Sequence, residues 1–209
     1  MDKPLEQQTA LPGDYSSTSH GSIDVEGVIV PFKNMRTVTR RSDNLGWVDY
    51  FMAVACLTAQ RSKDPSTQVG ACIVDQQNKI VGVGYNGLPR GLDDDLMPWE
   101  KEGDFIKTKY AYIVHAELNA ILNCIKTDQR DCTLYVSHFP CNECAKCIIQ
   151  SGIKKIFYLS DKHHERETTK ASKIMFKMAG VKCEQYLPSM SCVTQESDGS
   201  MVLNLAIRI

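Results

Sequence analysis

The sequence lacks several features that would each mark a familiar class. It has no apolar run approaching 18 residues, so no segment reads as a membrane-spanning helix. It has no excess of positive charge: 24 Lys and Arg stand against 25 Asp and Glu, for a net charge of −1. A long nucleic acid would find no electrostatic footprint here, although a nucleotide needs only a local basic pocket. No secretory apolar segment precedes the cysteines, and nine is an odd number of them. A disulfide framework is therefore not expected, and a reducing, cytoplasmic setting is, with nuclear access left open. Internal repeats are not evident. What is present, 209 residues of which 43% are hydrophobic, suffices for one sizeable core with tails.

The densest chemistry lies in His115-Ala116-Glu117 and, further along, Pro140-Cys141-Asn142-Glu143-Cys144. One imidazole and two thiolates are a sound ligand set for Zn²⁺, with a fourth position left for water, and the H-x-E…P-C-x-x-C spacing is that of zinc deaminases. Cys141 and Cys144, three residues apart, share one face of a helix's first turn, and Pro140, with its fixed φ and no N–H, marks the boundary. A helix N-terminus favours thiolates. In this arrangement His115, Cys141 and Cys144 are the metal ligands, and Glu117 is the proton shuttle beside the open position rather than a ligand. A redox C-x-x-C pair or half of a structural zinc site would explain the cysteines alone, but neither explains the H-x-E or the absence of a fourth protein ligand. Cys147 extends the run to C-x₂-C-x₂-C, yet Ser151 stands where an iron–sulfur pattern wants its next cysteine.

Periodicity supplies the scaffold. Residues 1–41 are rich in Gln, Thr, Ser, Pro and Gly and read as a flexible extension, in which Arg40-Arg41 is a solvated surface pair. The domain spans 42–188. Trp47, Phe51, Val54, Ala55 and Thr58 recur at helical spacing, with Asp43 or Asn44 as N-cap and Trp47 and Phe51 in the core. Val69–Asp75 and Lys79–Gly84 read as a hairpin. The turn-rich Gly84–Pro89 stretch and a long polar insertion, 90–108, follow; the Asp93-Asp94-Asp95 run within it reads as solvated surface. A second helix is predicted to start near Ile113 to His115 and run to about Cys124, then a strand over 132–136, a helix over 141–151, a strand over 153–159, a helix over 168–179 and a strand over 181–187. The third and fourth strands flank a helix and so should be parallel, joined by a right-handed crossover. The fold class expected is α/β, a three-layer α/β/α domain around a five-stranded mixed sheet. Residues 189–209 are a tail whose apolar end, 201–209, suits a docked strand or a subunit contact.

Four blocks carry a resemblance over roughly two-thirds of the chain: Arg61-Ser-Lys-Asp-Pro-Ser-Thr-Gln-Val-Gly-Ala71, Gly84-Tyr-Asn-Gly-Leu-Pro89, His115-Ala-Glu-Leu-Asn-Ala-Ile121 and Phe139-Pro-Cys-Asn-Glu-Cys-Ala-Lys146. In them the chain resembles the deoxycytidylate (dCMP) deaminases of the cytidine deaminase superfamily. The resemblance implies a zinc-dependent hydrolase that converts dCMP to dUMP and ammonia ahead of thymidylate synthesis. It implies the same cytidine deaminase-like fold, and the same roles for Glu117 and the three ligands. By matched position it makes Gln68, Val69, Asn86, Lys109, Tyr110 and Tyr112 contacts for base, sugar and phosphate. His163 stands where the family usually has tyrosine after an Asp-Lys pair, and its ring can still bond a phosphate. The resemblance further implies activation by dCTP and inhibition by dTTP in a homohexamer, with Tyr85, Asn86 and Gly87 in the effector segment. A free cytidine deaminase, a tRNA adenosine deaminase and a catalytically silent nucleotide binder share parts of the pattern. The dCMP-type blocks and the lack of a basic face disfavour the first two, and retention of all four site residues disfavours the third.

Overall fold

The computed structural model describes residues 38, 40–42 and 44–187, together with four short strands outside that span. The chain divides into two units, Met1–Asn44 and Leu45–Ile209. Within the first, β1 (Gly21–Ile23) pairs antiparallel with β2 (Ile29–Pro31). Val38, Arg40 and Arg41 of the expected extension are exposed; its remaining residues, and Asp43 as a cap, lie outside the described residues.

The second unit begins with α1 (Trp47–Ala59), whose cap is Gly46 rather than Asn44. Strands β3 (Gly70–Val74) and β4 (Ile80–Tyr85) form the antiparallel hairpin. Then come α2 (Ala116–Leu122), β5 (Thr133–His138), α3 (Asn142–Ser151), β6 (Lys155–Ser160), α4 (Glu167–Met178) and β7 (Lys182–Gln185). The five strands make one mixed sheet in the order β4-β3-β5-β6-β7. β3 pairs antiparallel with β5, while β5 with β6 and β6 with β7 are parallel, as a strand–helix–strand unit requires. Further on, β8 (Val193–Gln195) pairs with β9 (Met201–Leu203), so the apolar C-terminal stretch begins in a hairpin; residues 204–209 lie outside the described ones.

Alternation along the strands sorts the side chains into two layers. Ala71 and Ile73 of β3, Leu134 and Val136 of β5 and Ile156 of β6 pack with Ala116 and Ala120 of α2, Ile148 of α3 and Phe176 of α4. On the opposite face Cys72, Val74 and Tyr135 meet Phe51, Met52 and Ala55 of α1. Because both faces are covered, every residue of β3 is buried, and the strand reads as an apolar run rather than an alternating one. Trp47 departs from expectation: it stacks on Phe51 with ring centroids 5.4 Å apart but stays 59% exposed, because it occupies the first position of α1, where no further turn covers it.

Gly84 brings α2 onto the sheet. A Cβ there would lie 2.2 Å from the Ala120 nitrogen and 2.4 Å from the Ala116 carbonyl oxygen, so only hydrogen allows this approach. The insertion over 90–108 contains a single-turn 3₁₀ segment at Phe105–Lys107, and a second follows at Lys109–Ala111. The Trp99 indole N–H donates to the Asp94 carbonyl at 2.8 Å. Asp94 also pairs with Lys63, so the acidic run is anchored in part.

Candidate active site

The site forms where two helices begin over one end of the sheet. The chain leaves β4 through Asn86 and Gly87, and Gly87 forms a bridge with Val114 by reciprocal backbone hydrogen bonds of 3.1 and 2.9 Å. That bridge delivers the next residue, His115, in extended conformation as the N-cap of α2, with φ −72° and ψ 156°. The helix predicted to contain His115 and reach Cys124 is shorter at both ends: it starts at Ala116, and Asn123 is its C-cap. Glu117 then falls in the first turn, 4% exposed. Two strands away in the sheet β5 ends at His138, Pro140 is buried, and Cys141 caps α3 in extended conformation, placing Cys144 in that helix's first turn.

These junctions bring three donors to one point. His115 Nδ1 lies 3.4 Å from Cys141 Sγ and 3.3 Å from Cys144 Sγ, and the three ligand atoms all lie within 4.8 Å of one another. One nitrogen and two sulfurs in that small triangle fit Zn²⁺ with its fourth position left open. The same proximity governs the protons. Hydrogen bonds from Cys144 and His115 hold the Cys141 thiol down to about 4 despite its burial. The bond to Cys141 and the nearby Glu117 carboxylate raise His115 to about 9. Cys144 is pushed far above the usual thiol range, by its bond to Cys141 and by burial. Burial also raises Glu117, opposed by the charge of His115 and by a hydrogen bond with Cys144. A carboxyl group raised in this way holds a proton more readily than one in water.

Of the other residues singled out in the sequence, Asn86 and Val69 come together. The Asn86 side-chain oxygen accepts the Val69 N–H at 2.8 Å, and the Asn86 N–H donates to the Val69 carbonyl at 3.2 Å. The Asn86 amide donates to Thr67 O at 3.0 Å and Asp64 Oδ2 at 3.3 Å, so both its protons face protein. Gln68 is exposed and donates to the Asp64 carbonyl at 2.6 Å. Lys109, matched to a nucleotide contact, is 5% exposed, and its ammonium bonds both carboxylate oxygens of Asp64 at 2.7 and 2.6 Å. Tyr110 is 57% exposed, and the Tyr112 hydroxyl donates to the Ile106 carbonyl at 2.8 Å. Tyr85 is partly exposed, and its carbonyl accepts from Asn119 of α2 at 2.7 Å. His163 follows β6 and is partly buried.

Two groups at the site went unremarked in the sequence. Asp64 is 3% exposed and holds Lys109, Asn86 and two backbone N–H groups, those of Ser66 at 2.8 Å and Thr67 at 3.2 Å. His138 lies at the C-terminal end of β5, opposite Ser160 of β6. Burial, together with the charges of Lys162 and His163, lowers it to about 4. The Asp inside a Lys-Asp-Pro turn was visible in the chain, but nothing local marked its partner; His138 had no local signal at all.

The comparisons with known proteins agree with this geometry. The family described as the cytidine and deoxycytidylate deaminase zinc-binding region matches residues 45–160, more than half of the chain. A deoxycytidylate deaminase of Mus musculus is 54% identical over 160 residues, covering 76% of this chain and 90% of its own. One of Homo sapiens is 52% identical with the same coverage. A dCMP deaminase of the cyanophage S-TIM5, solved in complex with dCMP and dUMP, superposes with a TM-score of 0.53 at 25% identity, over 66% of this chain and 95% of its own. Among the described residues no helix is long and apolar enough to cross a membrane. With the family matched over more than half its length, relatives of that name 54% and 52% identical, and a His-Cys-Cys group that fits zinc, the chain belongs to the cytidine and deoxycytidylate deaminase family.

Proposed function

We propose that this protein hydrolyses deoxycytidine 5′-monophosphate to dUMP and ammonia, supplying dUMP for thymidylate synthesis. The observation that carries the reading is the convergence of His115, Cys141 and Cys144 beside buried Glu117. The relatives named deoxycytidylate deaminase support the choice of nucleotide.

His115, Cys141 and Cys144 hold the zinc, which when bound supplies the Lewis acidity that makes water a nucleophile near neutral pH. Glu117 does the proton work. It takes a proton from the attacking water and delivers one to N3 of the cytosine. It then takes the remaining proton of that water, now on the C4 hydroxyl, and passes it to the departing amino group as the C4–N bond breaks and the C4–O bond is kept. Its burial keeps those transfers away from bulk water. For the phosphate, Lys162 supplies the charge, while the rings of His163 and His138, kept neutral by burial and by their cationic neighbours, offer hydrogen-bond donors at the C-terminal ends of parallel strands, a common position for ligands in α/β sheets. Val69 and Asn86, with Gln68, Tyr110 and Tyr112, border the base and sugar. The direction of the Lys109 ammonium favours a role behind that wall rather than on the phosphate.

Regulation belongs to the same reading. dCTP activates and dTTP inhibits, in a homohexamer, through the Tyr85-Asn86-Gly87 segment. The support is its attachment to α2 by the Asn119 bond and the Gly87–Val114 bridge, which gives it purchase on the helix that carries Glu117. Each effector must prefer one arrangement of that segment, since equal affinity shifts nothing.

The test is ammonia release from dCMP, CMP, deoxycytidine and dCTP side by side. Preference for dCMP supports the reading, because a polar pocket built for a phosphate is left unpaired by the nucleoside. Equal efficiency on dCMP and deoxycytidine would move the protein to the free nucleoside deaminases. Saturation curves for dCMP with each triphosphate, alongside mass determination, test regulation; a monomer indifferent to both would end that part.

A further inference from the structure

We infer that Asp64 is a positioning residue for nucleotide binding, acting through Lys109 and Asn86 to hold the wall of the site in register; the inference rests on the nucleotide reading above. The Asp64–Lys109 pair is 45 residues apart in sequence, with side chains only 3% and 7% exposed. A buried ion pair of this kind contributes little net stability, because desolvating both charges offsets most of their attraction. Its place in the fold suggests what it contributes instead.

Around the Asp64 carboxylate three separate stretches meet. Its own turn is closed by the Ser66 and Thr67 N–H groups on Oδ1. Asn86, directly after β4, donates to Oδ2 and at the same time brackets Val69 through both its side-chain oxygen and its backbone N–H. Ser62 donates its hydroxyl to the Asn86 carbonyl at 2.8 Å, so the turn grips Asn86 from both sides. Lys109 brings in the segment leading to α2, where the Ile113 N–H donates to the Lys109 carbonyl at 2.9 Å and Val114 bridges to Gly87. One carboxylate thus fixes the 62–69 turn, the 85–87 segment and the 109–114 segment against one another. All three contain residues matched above to substrate contacts, and the third leads directly into His115. The lysine also ties down the end of the insertion, its N–H donating to the Glu100 carbonyl at 3.0 Å. The adjacent residue, Lys63, reaches Asp94 near the insertion's start.

The decisive experiment pairs Asp64→Asn and Lys109→Met with the double variant Asp64→Asn/Lys109→Met, each measured for zinc content, cooperative thermal unfolding, kcat and KM. Each single change strands a buried charge or polar group and lowers stability, while the double removes both charges and recovers much of it. A purely structural pair predicts that catalysis recovers together with stability. A positioning role predicts a split: the double variant unfolds cooperatively and carries one zinc per chain, yet its KM for dCMP stays at least about tenfold above wild type, with kcat within about threefold. Wild-type KM in the double variant overturns the inference, as does failure of the double variant to fold, which would make the pair a folding element. Wild type is run on the four-substrate panel alongside, and the variants are read on whichever substrate it takes. A wild type indifferent to dCMP indicts the substrate assignment, whereas a KM effect confined to the variants speaks for Asp64.

Discussion

Two polar clusters in this protein differ in burial and in how completely they are satisfied: Asp64 and Lys109 are buried, whereas in the second Cys144 and Glu117 are buried, Cys141 is half-buried and His115 is exposed. Around Asp64 every strong donor has a protein acceptor: Lys109 on both oxygens, Asn86 with both amide protons in use, and two backbone N–H groups on one carboxylate oxygen. Around Cys141 one imidazole lies 3.3 to 3.4 Å from each of two thiols, with Glu117 as their carboxylate neighbour. A closed network of the first kind holds backbone in place. A cluster of the second kind is a ligand set, whose donors are better matched to a metal ion than to one another. The comparison separates the group that does chemistry from the group that aims it.

The largest effect should come from opening the metal cluster. Cys141→Ser replaces a thiolate with a poor ligand, so zinc content should fall from about one per chain and activity should be lost with it. Removal of zinc by a chelator should do the same, and re-addition should restore turnover. Metal analysis beside the activity assay checks both; full zinc and full activity in Cys141→Ser would move the site, with Cys147 the first alternative.

Next comes the carboxyl group within that cluster. Glu117→Gln keeps the shape and the zinc but cannot carry protons, so kcat should fall by roughly 10²- to 10⁴-fold. A variant with bound zinc and activity within a fewfold of wild type would remove Glu117 from the mechanism.

A smaller effect is expected where α2 rests on β4. Gly84→Ala puts a methyl group against the Ala116 and Ala120 backbone, and overpacking of this kind costs about 1–3 kcal/mol. Thermal unfolding should register a clear drop, and because α2 carries Glu117, kcat should decline too. An unchanged melting temperature would show that the helix shifts without cost.

The smallest effect sharpens the contrast between neighbours. Lys63 is exposed and pairs with Asp94, while the next residue, Asp64, is buried. Solvent screens the first pair, so Lys63→Ala should leave melting temperature and KM at wild-type values, where Asp64→Asn should not. A large change in Lys63→Ala would mean that the insertion's start, and not its end, governs the site.

The metal cluster was legible in the sequence because each half of it is local. His115 and Glu117 lie two residues apart and Cys141 and Cys144 three, and backbone geometry at a helix start places such neighbours on one side. Strand runs such as Gly70–Val74 and the helix of Asn142–Ser151 were legible for the same reason, their periodicity being a property of a few consecutive residues. Element ends were less so. α2 stops at Leu122 although the apolar pattern runs on, and Trp47 sits largely in solvent although its spacing matches the core.

What the sequence determined by itself is therefore the chemistry: a nitrogen and two sulfurs for zinc, a carboxyl group beside them, and an α/β scaffold to present them. What only the tertiary structure decided is where the long-range polar groups point. Lys109 carries the same charge whether it meets a phosphate or a carboxylate, and no local pattern distinguishes the two. The choice is made by burial, which leaves an ammonium no stable place except against a charge of opposite sign, and the fold brings that charge from Asp64, 45 residues away.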